Sequence, residues 1–243
     1  MEHNSIVNRY LSDNDRYADL INGCQFAGEQ VITAADLSDV DTQVHEIAGM
    51  ATNHRKEDTG KTKYRDLIRK VAFGIKFAVI GIENQEEIHY LMPLQTMEYD
   101  VKEYQRQARI IRKKARKNKK MSSAEFLSGF GKEDKLYPCV TIVLYYGEEW
   151  DGGCELHDIL DFTNIPKQLK LLVNNYKIHL IQVKKIQDTG VFRTDLKQVF
   201  DFIRCAIRIN CVSLLNVIQR IRIWTRMRMI WLLCIQIQGN CYD

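Results

Sequence analysis

Three features of the sequence predict an α/β fold. Two short apolar runs, FAVIGIE over 77–83 and PCVTIVLYYG over 138–147, are continuous rather than alternating, as in strands buried on both faces. Between them lies the longest helical pattern of the chain, over 92–120. The 243 residues are 45% hydrophobic, enough to bury a sizeable core in one domain or one with an appendage.

The elements follow in order. The segment 12–25 (SDNDRYADLINGCQ) reads as a helix, because Ser12 or Asp13 can cap it and Tyr17, Leu20, Ile21 and Cys24 share a face. From 26 to 32 the chain turns through Ala27 and Gly28 into an apolar run, expected to be the first strand. The polar stretch 33–62 reads as loop with broken helix. Strands are expected over 64–73 and 77–83, with Gly74, Ile75 and Lys76 short enough for a hairpin turn. In 92–120, Pro93 suits a first helical turn, and Leu94, Met97, Val101, Tyr104, Ala108 and Ile111 recur at three- and four-residue spacing. After the strand at 138–147 come a glycine-rich turn, a strand-like 178–186 and a helix over 194–205. There are no internal repeats.

Composition excludes collagen, low-complexity disorder and a disulfide miniprotein. Seven scattered cysteines without a C-x-x-C pair, and no secretory signal at the start, point to free thiols in a reducing cytoplasm. No uncharged stretch reaches the roughly 20 apolar residues of a membrane span. The net charge of +4 is a weak bias, so any nucleic-acid signal must come from clustering. It does cluster. Between Lys102 and Lys120 stand ten Lys and Arg, among them Lys102, Arg106, Arg109, Arg112, Lys113, Lys114, Arg116 and Lys117, against the single acid Glu103. A helix C-terminal dipole accounts for two or three such cations; ten point to phosphate contact of low sequence specificity.

A candidate metal site lies just before this helix. Asp66 is on the first strand of the expected hairpin, Glu83 ends the buried second strand, and Gln85 shares the face of Glu83. Two carboxylates with a backbone carbonyl and waters make a hard oxygen site for Mg²⁺, which can polarise a phosphoryl oxygen and activate water against a phosphodiester. Asp19, on the first helix, can add an acid if that helix packs over the sheet edge. Carboxylates at strand ends are commonly just solvated; Glu83 differs because it directly follows an apolar run, where burial needs a partner. The six histidines have no zinc spacing, and no Walker A, G-x-S-x-G or G-x-G-x-x-G motif is present.

The strings IENQEEIHYLMPLQTMEYDVKEYQRQ and FLSGFGKEDKLYPCVTIVLYYGEEWDGGCELHDIL, with YADLINGCQFAGEQVI before and FRTDLKQVFDFIRC after them, resemble the Rpn family of recombination-promoting nucleases. These belong to the PD-(D/E)XK nuclease superfamily and are also labelled transposases, although no DDE-type triad is visible here. The resemblance covers roughly residues 8–205. It implies a restriction-endonuclease-like core of helix, three-stranded meander, helix and strand, with a helical C-terminal appendage. It implies Asp66 and Glu83 as the catalytic and metal-binding acids, Gln85 in place of the superfamily lysine, Asp19 as first-helix acid, and Gln107 as polar residue of the flanking helix. The activity implied is Mg²⁺-dependent cleavage of double-stranded DNA that promotes recombination, with homodimerisation open to it; a catalytically inactive DNA-binding remnant of a mobile element is the alternative. Gln85 cannot carry charge or accept a proton, so it suits either a slow nuclease or a degenerate one.

These readings divide the chain into a core at 8–150, an extension of the same domain at 151–205, and an atypical tail at 206–243. From 206 to 242 there is no Asp, Glu or Lys. One codon choice for residues 226–231, read from its third base, spells Asp-Glu-Asp-Asp-Met, so the tail is expected to be translated out of frame.

Overall fold

In a computed structural model, the chain is described over residues 3–40, 67–73, 76–115 and 122–205. Helices α1 (His3–Leu11) and α2 (Asn14–Gln25) lead into strand β1 (Leu37–Asp39), followed by β2 (Leu67–Phe73) and β3 (Lys76–Gln85). Helix α3 (Met92–Ala115) and the short α4 (Ser123–Ser128) connect β3 to β4 (Cys139–Tyr145). The one-turn α5 (Lys167–Lys170), strand β5 (His179–Gln182) and helix α6 (Leu196–Cys205) complete the described chain. The strands form one sheet in the order β1-β2-β3-β4-β5, with β1, β2 and β3 antiparallel and β4 and β5 joined in parallel. The α/β class therefore holds.

Alternation assigns each side chain of β3 and β4 to one of two faces. One face carries Ile80, Ile82, Ile142 and Leu144, which pack with Tyr17, Leu20 and Ile21 of α2 and with Leu196, Val199, Phe200 and Ile203 of α6. The last four sit at helical spacing i, i+3, i+4, i+7, so α6 lays one apolar stripe on the core. The 151–205 segment thus contributes a strand and a helix to the same sheet and core. The opposite face carries Val79, Glu83, Gln85, Cys139, Thr141, Val143 and Tyr145, and α3 lies across it.

Three expectations are corrected. The first strand is Leu37–Asp39 and not 28–32. Ala27 and Gly28 both adopt positive φ, and the Asn22 amide clamps Ile32 by donating to its carbonyl (2.7 Å) and accepting from its N–H (3.0 Å), so this run is spent on α2 instead of on a sheet. Helix α1 was not expected at all; Tyr10 and Leu11, short of any long apolar run, are buried by it. The third correction concerns α3. Its apolar stripe is only partly covered, with Leu94 44% exposed and Val101 also exposed, while its buried face includes Gln95, Thr96, Tyr99, Asp100, Glu103 and Gln107. A helix can bury such a face only when each polar group meets a partner, and those partners build the site.

Elsewhere the boundaries move by a few residues. Asp13 caps α2, its carboxylate accepting from the Arg16 N–H. The strand expected over 178–186 ends at Gln182 and runs on as a 3₁₀ turn, Val183–Lys185. Residues 41–66 and 116–121, with Asp66, Arg116 and Lys117 among them, and the tail at 206–243 lie outside the described residues.

Candidate functional site

Glu83 stands near the end of β3 on the face that α3 covers, and it is buried. Its Oε1 accepts three hydrogen bonds: from Gln95 Nε2 (2.9 Å), Gln85 Nε2 (3.1 Å) and the Tyr99 hydroxyl (3.3 Å). Gln95 Nε2 also donates to the Tyr99 hydroxyl at 2.8 Å, which locks the two helix residues to each other. Gln95 and Tyr99 are one helical turn apart, and Gln85 is two strand residues from Glu83, so both elements aim their amides at one oxygen. These three donors are neutral groups, and together they fix the position of the carboxylate.

Helix α3 itself carries a second buried carboxylate, next to Tyr99. Asp100 Oδ1 accepts from Thr141 Oγ1 (2.6 Å) and the Cys139 thiol (3.4 Å), and Oδ2 accepts from the Tyr176 hydroxyl. This ties α3 to β4 and to the segment before β5. Glu103 is a third. It takes both guanidinium arms of Arg106 (2.8 and 2.7 Å) and the Gln107 amide (3.1 Å). Gln107 in turn donates to the Tyr137 carbonyl (3.3 Å) and accepts from the Tyr137 N–H (2.7 Å), pinning the chain as it enters β4. The polar residue expected beside the site is therefore a backbone clamp.

Asp19 is not brought to Glu83. It belongs to α2, on the other face of the sheet, and is 3% exposed. Both its oxygens accept from the Arg193 N–H (3.0 Å each), and Oδ2 also accepts from the N–H (2.7 Å) and hydroxyl (2.6 Å) of Thr194. Its carboxylate holds the loop that starts α6. Nearby, burial and the Asp19 charge push the Cys24 thiol up to about 12, so it stays protonated at neutral pH.

The cations of α3 divide by environment. Lys102 pairs with Glu98 at 2.7 Å and Arg106 with buried Glu103, both within the helix. Arg109, Arg112, Lys113 and Lys114 are exposed, and Arg112 Nε reaches the Ser128 carbonyl at 3.1 Å. No family model, curated protein or solved structure matches the chain.

The donors around Glu83 suit a hard cation, since a carboxylate and the carbonyl oxygen of a neighbouring amide are the ligand types Mg²⁺ selects. Among the described residues, no group of three or more His, Cys, Asp or Glu is placed to hold a metal ion. No helix among the described residues is long and apolar enough to cross a membrane. Sequence reasoning did not single out Gln95, Tyr99 or Glu103 for the site. The signal was present. Gln95, Tyr99, Glu103 and Gln107 recur every four residues, a polar stripe on one helix face.

Proposed function

We propose that this protein is a metal-dependent DNA endonuclease in which Asp66 and Glu83 hold a divalent cation and Gln85 orients the attacking water. The observation that carries the reading is the buried Glu83 carboxylate, fixed by Gln85, Gln95 and Tyr99 beneath a helix whose exposed end carries Arg109, Arg112, Lys113 and Lys114. A carboxylate held in place against the start of α3, with a cationic surface beginning about 15 Å further along the same helix, can anchor a cation against one phosphodiester while neighbouring phosphates reach those cations. The reading requires Asp66 beside Glu83. In the hairpin Leu67 pairs with Ile82, and these two residues directly adjoin Asp66 and Glu83 in sequence.

A bound Mg²⁺ would supply Lewis-acid polarisation of the phosphoryl oxygen and a lowered pKa for its water. The chain's own residues do the rest. Gln95 and Tyr99 keep Glu83 from swinging away. Gln85 offers an amide that holds a water by hydrogen bonds and takes no proton from it. The α3 cations align the backbone of double-stranded DNA by charge, with little sequence preference. In this reading Asp19 serves the structure, through its bonds to the α6 loop.

Plasmid nicking by the full chain, with Mg²⁺ or with EDTA, tests this beside Glu83→Gln and Asp66→Ala. The expected result is metal-dependent nicking that both variants lose while DNA binding survives. Binding without nicking in every protein would make the chain a DNA-binding remnant, a reading that the charge-free amide at Gln85 favours.

A further inference from the structure

Helix α4 has no buried residue, yet few short helices are tied down so completely. Ser122 and Glu125 form a reciprocal capping box at its start, and Gly129 ends it in the left-handed conformation at φ 64°. Glu125 Oε1 also accepts from the Lys132 N–H at 3.0 Å, and Asp134 from the Gly131 N–H at 2.7 Å. Arg112 donates to the Ser128 carbonyl, and its stem lies so close that a Cβ on Gly129 would sit 2.9 Å from Arg112 Cγ. The outcome is a rigid platform, locked to the cationic end of α3, that displays Phe126 (78% exposed) and Leu127 (89% exposed).

A helix that buries nothing is not held in shape by packing, so these fixings serve what it presents. Two adjacent large apolar side chains left in water next to Arg109, Arg112, Lys113 and Lys114 call for a partner that is both polyanionic and apolar at short range. Duplex DNA is such a partner, with phosphates outside and stacked bases within reach of an inserted side chain. An anionic bilayer shares the chemistry but requires a broad apolar face, and two side chains on six residues do not make one. Of the acids beside the platform, Glu125 and Asp134 accept from backbone N–H groups, and Glu133 is exposed.

We infer that Phe126 and Leu127 form a wedge that unstacks a base step of DNA bound along α3. This rests on the DNA-binding half of the reading above and is independent of the metal chemistry.

The full chain, in EDTA, is mixed with short duplexes carrying 2-aminopurine at successive steps, and binding is followed in parallel by anisotropy across a salt series. Wild type should raise 2-aminopurine emission. Phe126→Ala/Leu127→Ala should lose that rise and bind roughly tenfold more weakly, as for one lost aromatic stack, with an unchanged salt slope. Phe126→Trp should keep the rise and show indole quenching on DNA. Binding without any rise, or equal emission from wild type and the double variant, would overturn the wedge and leave DNA binding standing. No binding by wild type would overturn both. Binding to phosphatidylserine vesicles in place of DNA, lost in the double variant, would assign the pair to a membrane surface and overturn the wedge.

Discussion

Replacing Asp19 by Ala removes a carboxylate that accepts from the Arg193 N–H and from both the N–H and the hydroxyl of Thr194. The hydroxyl can rotate to another acceptor; the two N–H groups, fixed by the backbone beside a residue only 3% exposed, cannot. Each hydrogen bond to a charged acceptor is worth about 1.5–3 kcal/mol, and such terms are not fully additive, so the loss should be roughly 3–5 kcal/mol. For a chain of this length that corresponds to a fall in Tm of roughly 6–20 °C. Asp19→Asn keeps one acceptor but turns an NH₂ toward backbone donors, and should lose somewhat less. Urea unfolding followed by circular dichroism measures both. A loss below about 1 kcal/mol, accompanied by abolished DNA nicking, would refute the reasoning, because it would make Asp19 a catalytic acid instead of the clamp on α6.

Three further outcomes are expected. Gln107→Ala should cost about 1–3 kcal/mol in urea unfolding, because it strands the N–H of Tyr137 and the carboxylate side of Glu103; Gln107→Glu should be worse, as it sets a second carboxylate beside Glu103. Gly129→Ala should destabilise by about 1–2 kcal/mol, since it combines a positive φ with a Cβ 2.9 Å from Arg112 Cγ, whereas Ser123→Ala, at an exposed position of the same helix, should cost less. Burial pushes the Asp195 carboxyl up, but hydrogen bonds from Arg16 and Tyr10 outweigh it and hold it below the ordinary range. A depressed folded pKa means the contribution is present above the unfolded value, about pH 4, and is lost as pH falls through the folded one. Wild type should therefore lose stability more steeply than Asp195→Asn as pH drops below about 4, and parallel slopes would refute this.

The sheet's centre was legible because β3 and β4 are covered on both sides, so their sequences carry unbroken apolar runs that no surface strand would tolerate. The start of α3 and its course as far as Ala115 were legible too, from Pro93 and a sustained helical period. Its orientation was not. Sequence reading equates buried with apolar, and α3 buries Gln95, Tyr99, Asp100, Glu103 and Gln107 because Glu83, Thr141 and Tyr137 answer them across the fold. Those partners are distant in sequence and invisible to periodicity. The first strand failed for a related reason: Leu37–Asp39 is three residues long and carries one buried side chain, while the more apolar 28–32 is captured by Asn22. Of the candidate site, Glu83 and Gln85 were found as a pair because a strand's two-residue period is local. The separation of Asp19 from them required knowing which face each helix covers.

The anchoring of α6 to the first helices bears on how the chain can be made. Asp19 meets Thr194, and Arg16 and Tyr10 meet Asp195, across 175 to 185 residues. During vectorial synthesis the apolar side of α2, with Tyr17, Leu20 and Ile21, leaves the ribosome long before Leu196, Val199 and Phe200 exist to cover it. Closure of the core must wait for the helix over 196–205, so the nascent protein is expected to expose this apolar surface until that helix emerges. Ribosomes stalled shortly before that helix emerges should carry chains that proteases cut readily, and those stalled after it chains that resist.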